Sequence, residues 1–300
     1  MTDTTGSQTA GTQTAAGTQT AGSEVAGFSQ LISGDWLRQH IDEVVVLDGS
    51  YYLPVMGKDA DAEFNKGHIV GAQRWDIDVI ADTDSDLKHM MPTAEIVARA
   101  AEQRGISNQS TVVVYDQLGM FSAARVWLTL KRIGHTRVAL LDGGLPAWRG
   151  SVETGPAAAV TPVKYGSFSD IDTTVNRDTV ARELLASTAC VIDARSAGRF
   201  HATAPEPVPG LKGGHMPGAV NLPFTDLLTE DNRFKSLAEL KRVFAESGAD
   251  LNKPVITSCG SGVTASIVSF ALELTGIESM VYDGSWSEWG LPGLDMPVTS

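Results

Sequence analysis

Short apolar runs alternate with longer amphipathic segments along most of the chain. The runs are rich in β-branched residues and end at small or polar residues, as buried strands do; they lie at 43–48, 111–116, 137–142, 190–194, 254–258 and 279–284. Helical patterns that close on a glycine lie at 93–105, 122–134, 237–248 and 264–276. Strands that are apolar on both faces and alternate with helices predict a parallel sheet covered on both sides. The fold class is therefore predicted to be α/β.

The pattern of the first half of the chain recurs in the second half. Asp48 corresponds to Asp193, His68 to His215, Asp116 to Cys259 and Trp148 to Trp289, and the intervals of 145, 147, 143 and 141 residues are nearly constant. Such a repeat indicates a duplicated domain. We predict two similar domains in tandem, each a mostly parallel sheet flanked by helices, at residues 25–150 and 171–300. The stretch 151–170, rich in Gly, Pro and small residues, is the predicted linker.

Composition and charge narrow the possible functions. Residues 1–24 are mostly Thr, Gly, Ala and Gln and are predicted to be disordered. The net charge of −13, without a basic cluster, argues against a nucleic-acid partner. No apolar run is long enough to cross a membrane. With two cysteines and no Lys or Arg before Arg38, the chain has neither a disulfide framework nor the basic start of a targeting segment, and a cytoplasmic location is expected.

Cys259 directly follows the run 254–258 and precedes the helical pattern that opens near Thr264. Chemistry in open parallel sheets lies at the carboxyl ends of strands. The small residues after Cys259 allow the backbone to curl with its N–H groups inward, and with the following helix dipole they favour a thiolate. Such loops serve phosphate-ester hydrolysis, arsenate reduction and sulfur transfer. The position six residues on is Ala265 rather than the Arg that would clamp a phosphoryl group, which disfavours phosphoryl transfer.

These motifs together resemble the two-domain rhodanese-like sulfurtransferases. The resemblance rests on CGSGVTA at 259–265, GHIVGA and GHMPGA at 67–72 and 214–219, DGSWSEW at 283–289 and HMMP at 89–92, and it covers nearly all of the chain after the tail. The first domain resembles the family's inactive half, because Asp116 replaces the cysteine. Neutral Gly260 and Ser261 resemble the loop of members that use 3-mercaptopyruvate, whereas thiosulfate-specific members have basic residues there.

The resemblance implies a role for each site residue. Cys259 would be the nucleophile that takes sulfur from 3-mercaptopyruvate as a persulfide, releases pyruvate, and passes the sulfur to thioredoxin, a small thiol or cyanide. Ser261, His89 and Asp78 match the family's proton relay, which places the site between the domains. Arg199 matches an arginine that binds the substrate carboxylate. The remaining positions of the substrate-binding loop are Gly260, Gly262, Val263 and Thr264.

The chain also departs from the family pattern. A second carboxylate-binding arginine is expected in a stretch EPEPR, but the chain reads PEPVP at 205–209 and has Val208 there. Lys212 is the candidate to replace the missing charge. This departure does not affect the sulfur-transfer step, but it concerns which sulfur donor the protein binds.

Several readings stay open at the level of the sequence. Thiosulfate could be the donor, the chain could be a non-enzymatic persulfide carrier, or it could be a docking module without chemistry. His68 and His215 recur at equivalent positions, which favours a structural role at the turn before a strand over metal binding. No His/Cys cluster has zinc spacing, so neither a metal nor a cofactor is expected.

Overall fold

The computed structural model describes Met1 and residues 25–300. The predicted disordered tail, residues 1–24, lies outside the described residues apart from Met1. Within residues 25–300 the chain forms two five-stranded parallel sheets and a two-stranded antiparallel ribbon. The predicted α/β architecture with two similar halves is confirmed.

The first half contains seven strands and five α-helices within its described residues. The strands are β1 (Leu31–Ile32), β2 (Val45–Asp48), β3 (His68–Ile69), β4 (Gln73–Arg74), β5 (Val112–Tyr115), β6 (Val138–Leu141) and β7 (Val152–Glu153). The helices are α1 (Gly34–Gln39), α2 (Ala60–Lys66), α3 (Ala94–Gln103), α4 (Ala123–Arg132) and α5 (Gly144–Ala147), with 3₁₀ turns at Ile41–Glu43 and Pro54–Met56.

The second half, all of it described, contains five strands and five α-helices. The strands are β8 (Thr174–Val175), β9 (Cys190–Asp193), β10 (Val220–Asn221), β11 (Val255–Ser258) and β12 (Ser279–Tyr282). The helices are α6 (Arg177–Ala186), α7 (Ala197–Phe200), α8 (Leu237–Glu246), α9 (Ala265–Leu274) and α10 (Ser285–Trp289), with a 3₁₀ turn at Phe224–Leu227.

The two sheets have the same strand order. The first runs β1-β6-β5-β2-β4 and the second, starting from its matching edge, runs β8-β12-β11-β9-β10, with every pairing parallel. The central strands β5 and β11 are buried along their whole length. Asp116 and Cys259 are the residues that directly follow these strands, so the duplication places them at equivalent sheet ends.

The two domains pack through equivalent helices. On the facing sides of α4 and α9, Trp127 and Phe270 meet edge to face with ring centroids 5.0 Å apart. At the far end of the same helices, the ammonium of Lys131 is paired with Glu273, which also accepts a hydrogen bond from Gln30 Nε2 at 2.7 Å. This packing places the start of each helix, and therefore the loop before it, beside the other domain.

The segment predicted as a linker runs along the first domain. Its strand β7 pairs with β3, and the Tyr165 backbone N–H donates to Glu102 at 2.9 Å. The buried Tyr165 hydroxyl lies 2.7 Å from His135 Nδ1. The domain limits at 150 and 171 stay a prediction.

Candidate active site

The loop 259–264 connects β11 to α9 and holds Cys259, which is 2% exposed. One side chain fastens this loop from the inside. The backbone N–H groups of Cys259 and Gly262 both donate to Ser285 Oγ at 3.1 Å, and the Ser285 hydroxyl donates to Tyr282 O at 2.7 Å. The hydroxyl therefore satisfies two buried loop donors and ties them to the end of β12.

The loop carbonyls are fixed by the first turn of α10. The N–H of Trp286 donates to Cys259 O at 3.0 Å, and the N–H and hydroxyl of Ser287 donate to Gly260 O at 2.8 and 2.7 Å. Gly262 has a φ of +74°, and a Cβ there would lie 3.0 Å from Asp283 O, so this position requires glycine. The curled loop is thus determined by contacts distant in sequence as well as by its own small residues.

The equivalent loop of the first domain contains an anion at the position of Cys259. The Asp116 carboxylate accepts four backbone N–H groups at 2.8–3.0 Å, which come from Leu118, Phe121, Ser122 and Ala123. Asp116 is 1% exposed, so the amides replace its hydration. The loop after the central strand is therefore a ring of amides that stabilises negative charge, which supports the expectation of a thiolate or persulfide at Cys259.

Arg199 lies on α7 at the edge of this loop. Its Nη2 would be 3.0 Å from a Cβ on Gly260, so glycine leaves room for the guanidinium. Arg199 donates to Glu206 through Nε at 3.1 Å and Nη2 at 2.5 Å, and Glu206 also accepts from Arg195 at 2.7 Å. Arg195 in turn binds both carboxylate oxygens of Asp193 in a buried ion pair.

The prediction that Lys212 replaces the missing arginine is wrong. The Lys212 ammonium donates to the carbonyl of Leu294 at 2.8 Å and is also 3.5 Å from Met296 O. It therefore holds the C-terminal segment. Val208, at the position of the expected arginine, is 52% exposed.

His89 and Asp78 lie in the loop between β4 and α3 of the first domain and are in contact, as the relay requires. His89 Nδ1 is 3.1 Å from Asp78 Oδ1. The angles do not meet those of a hydrogen bond, so the interaction is an electrostatic contact. Proximity to His89 lowers the pKa of the Asp78 carboxyl, against the opposing effect of burial. The Tyr51 ring packs edge-on against the imidazole at 4.6 Å, and burial raises the pKa of Tyr51 to about 12.

The first domain reaches the loop through a buried ion pair. Arg125 on α4 donates through Nη2 to Asp283 Oδ1 at 2.7 Å and to the carbonyl of His89. Asp283 Oδ2 accepts the N–H of Met91 at 2.5 Å. His89 is 4% exposed and is thereby held at the domain interface.

The structure brings some of the predicted site residues together and leaves others apart. Cys259, Gly260, Ser261, Gly262, Val263 and Thr264 share one loop with Arg199 at its edge, and His89 contacts Asp78. No hydrogen bond joins Ser261 to His89 within residues 25–300. The structure therefore brings two of the three predicted relay residues into contact, and Ser261 lies on the loop of the second domain.

Sequence reasoning missed the residues that hold the site in place. Ser285 and Asp283 lie in the DGSWSEW motif, which indicates the family but not the contacts of these two residues. Glu206 lies two residues before the unusual Val208. Arg125 could have been found as a charged residue in the otherwise apolar stretch SAARVW, where α4 is buried at eight successive residues, 123–130.

The two predicted structural histidines have that role. His68 and His215 each donate through Nδ1 to a phenylalanine carbonyl at 3.0 Å and stack on the same phenylalanine ring, Phe64 and Phe200. Among the described residues no group of three or more potential ligands could hold a metal ion, and no helix is long and apolar enough to cross a bilayer.

Comparison with known proteins agrees with this geometry. The family model for the rhodanese-like domain matches residues 33–151 and again 178–291. The chain therefore belongs to the rhodanese-like family and carries two copies of its domain. It is 40% identical to a Mus musculus protein named 3-mercaptopyruvate sulfurtransferase, over 87% of this chain and 92% of that protein.

Two further relatives bear on the donor and the fold. A Mus musculus thiosulfate sulfurtransferase is 36% identical, again over 87% of this chain and 92% of the relative. The crystal structure of SseA from Escherichia coli, titled as one of the 3-mercaptopyruvate sulfotransferases, is 36% identical and superposes with a TM-score of 0.77 over 87% of this chain and all of that one.

Proposed function

We propose that this chain is a sulfurtransferase that moves sulfur from 3-mercaptopyruvate, through a persulfide on Cys259, to a thiol acceptor or cyanide. The observation that carries the proposal is the loop after β11, whose equivalent in the first domain directs four backbone N–H groups at the Asp116 carboxylate. With a cysteine in place of the aspartate, backbone N–H groups of the equivalent loop would stabilise a sulfur anion.

The reaction has two steps that share one intermediate. The Cys259 thiolate attacks the donor sulfur, an S–S bond forms, the C–S bond breaks, and its electron pair leaves on the pyruvate enolate, which then takes a proton. The acceptor thiolate or cyanide next attacks the outer sulfur and the Cys259 thiolate leaves. In the first step the donor sulfur is oxidised to the sulfane level while the carbon that it leaves is reduced, so no external oxidant or reductant is needed.

The residues around the loop support these steps. Arg199 stands at the edge of the loop beside Gly260, where its guanidinium can bind the donor carboxylate, with Glu206 fixing its orientation. The His89–Asp78 pair, with Ser261 on the facing loop, supplies the proton for the enolate. Gly260, Gly262, Val263 and Thr264 form the walls of the donor site.

Replacing His89 by Ala should lower kcat with 3-mercaptopyruvate by about 10²-fold, the usual scale of a general acid. Asp78→Asn should have a smaller effect in the same direction. Because His89 lowers the pKa of Asp78, the carboxylate stays charged at pH values below the usual pKa of an aspartate. Its contribution to kcat should therefore be lost only as the pH falls through the lowered pKa. Steady-state rates of pyruvate release across pH measure both effects; rates equal to those of the parent would exclude the pair from catalysis.

Val208→Arg should lower the KM for 3-mercaptopyruvate by about fivefold, or ~1 kcal/mol, the upper scale of a partly exposed ion pair. The reason is that Val208 occupies the position of the second carboxylate-binding arginine. Leu185→Arg is the matched control, because Leu185 is 91% exposed near the end of α6, which leads to the amino end of β9, away from the site. An unchanged KM in Val208→Arg, or an equal drop in the control, would contradict the assignment.

Thiosulfate is the second candidate donor, since a relative of similar coverage is named thiosulfate sulfurtransferase. Neutral Gly260 and Ser261 after the cysteine favour the singly charged donor over the dianion. The test is the ratio of kcat/KM for the two donors, which we expect to favour 3-mercaptopyruvate. A ratio below one would make thiosulfate the donor.

The acceptor and the location follow from the same chemistry. A persulfide is consumed by thiolates, so we propose thioredoxin or a small thiol as acceptor, in a reducing compartment such as the cytoplasm. Both cysteines are free, which suits such a compartment.

A further inference from the structure

Arg125 is a charged side chain that the fold itself does not require. It is 1% exposed on α4, in the interface with the second domain. The duplication pairs it with Val268 on α9, at the 143-residue interval that also relates Asp116 to Cys259. Val268 is fully buried. An apolar residue therefore suffices at this position of the helix, while a buried guanidinium loses its hydration.

The guanidinium contacts three parts of the active site from one position. Its Nη2 donates to the carbonyl of His89 and to Asp283 Oδ1. Its Nη1 is buried and has no hydrogen-bond partner within residues 25–300. A Cβ on Gly262 would lie 3.1 Å from this Nη1, so the unpartnered donor faces the catalytic loop.

The equivalent contact on the opposite side of the interface shows what the fold provides without an arginine on the interface helix. There Asp142 takes the place of Asp283 and accepts the N–H of Phe234 at 2.8 Å, just as Asp283 accepts that of Met91. Asp142 has no arginine from α9, and burial raises the pKa of its carboxyl. The charge of Arg233 acts on Asp142 from outside the helix and lowers its pKa against the larger effect of burial. The aspartate-to-amide contact is thus common to both sides, and an arginine from the interface helix is present only on the side of Cys259.

His89 itself has an equivalent at this second contact. Asn232 corresponds to it by the same interval, and both have left-handed backbones, with φ of 63° and 58°. Asn232 packs on Gly119, the equivalent of Gly262. Asparagine and histidine both adopt this conformation more often than most residues do, so the backbone geometry is shared and the side chain differs. His89 and Arg125 are therefore both specific to the side of the interface that contains the cysteine.

From these contacts we infer that Arg125 is a positioning residue, which with Asp283 holds the His89 backbone and the Gly262 turn of the catalytic loop in register across the domain interface. The inference rests on the proposed sulfur transfer for its kinetic test. It also makes the first domain necessary for catalysis through a specific contact, because Arg125 and His89 both belong to that domain.

The main experiment compares Arg125→Met with a control on the same helix. Lys131→Met removes another interdomain ion pair between α4 and α9, the one with Glu273, at the end remote from the loop. We expect Arg125→Met to lower kcat by about 10²-fold, close to the loss in His89→Ala, with KM changed less than about threefold because Arg199 still binds the donor. Lys131→Met should leave kcat within about twofold.

A double-substitution cycle separates positioning from general damage. In a His89→Ala background, Arg125→Met should reduce kcat by less than about tenfold, because one of the two parts that it positions is already gone. Equal losses in both backgrounds, or a kcat near that of the parent for Arg125→Met, would overturn the inference. Should Arg125→Met fail to fold, Asp283→Asn and Arg125→Lys weaken the same contact while keeping the shape or the charge, and each should give a partial loss of kcat with the same non-additivity.

A readout without turnover distinguishes failure of this inference from failure of the proposed function. The imidazole ¹H–¹³C resonance of His89, assigned by its absence in His89→Ala, should shift in Arg125→Met and stay unchanged in Lys131→Met. A shift in a protein that transfers no sulfur would support the positioning role and refute the proposed reaction. An unshifted resonance in a protein that does transfer sulfur would refute the positioning role alone.

Discussion

Cys259→Ser should abolish sulfur transfer from 3-mercaptopyruvate, with kcat lower by on the order of 10⁴-fold or more, as for loss of a covalent nucleophile. A hydroxyl in the same loop is too weak a nucleophile at neutral pH and cannot form the persulfide. The measurement is pyruvate release, with cyanide as acceptor. The variant should fold normally, because the N–H of residue 259 keeps its bond to Ser285.

The second cysteine supplies the control for this substitution. Cys190 lies in β9, is 7% exposed, and burial raises the pKa of its thiol. Such a cysteine is inert, so Cys190→Ala should keep the parent rate. Turnover retained in Cys259→Ser and lost in Cys190→Ala would show that Cys190 is the nucleophile and would contradict our account.

Asp116→Ala should lower the free energy of unfolding by about 3 kcal/mol. Asp116 lies in the first domain, in the loop equivalent to the one that carries Cys259. The substitution leaves four buried N–H groups without their acceptor, and buried unsatisfied donors cost about 1–3 kcal/mol each, part of which water entering the loop recovers. Urea denaturation followed by circular dichroism measures the change.

A surface aspartate provides the comparison for this stability test. Asp61 forms an ion pair with Arg74 at 3.2 Å, but its side chain is 68% exposed. Exposed pairs contribute less than about 1 kcal/mol, so Asp61→Ala should be nearly neutral. Equal effects of the two substitutions would mean that the amide ring around Asp116 is not a strong anion site, and would weaken the parallel with Cys259.

The fold was largely predictable because its pattern occurs twice. The long buried strands and the helices α3, α4, α8 and α9 lie where the apolar pattern puts them, to within two residues at each end. The edge strands β1, β4, β8 and β10 have two residues each, which is too short for a hydrophobic period to be recognised. Their places are set by pairing with neighbouring strands, which the local sequence does not encode.

The candidate site was predictable where it depends on a contiguous loop. CGSGVTA contains the cysteine, the small residues and the helix start in one stretch, and the family motifs added His89, Asp78 and Arg199. The contacts that fix the loop come from residues distant in sequence, namely Ser285 and Arg125, and depend on tertiary packing. The apolar neighbours of Arg125 mark it as unusual in the sequence, but its partners lie in the opposite domain and cannot be identified from the helix alone.

The failed role of Lys212 has a simple physical cause. A lysine four residues from Val208 can reach the same region only if the chain between them turns toward the site. Its ammonium instead caps carbonyls of the C-terminal segment, and its backbone N–H donates to Gly290 O at 2.8 Å. Lys212 is close to Val208 in the sequence, but its ammonium is held elsewhere in the structure.

The central claim is that the loop after β11 holds transferred sulfur on Cys259. It is tested most directly by incubating the protein with 3-mercaptopyruvate without acceptor and mapping the mass of its cysteine peptides. We predict a gain of one sulfur atom on the peptide with Cys259, none on that with Cys190, and reversal by cyanide with release of thiocyanate. Pyruvate release with Cys259 left unmodified, or sulfur found on Cys190 alone, would contradict the account.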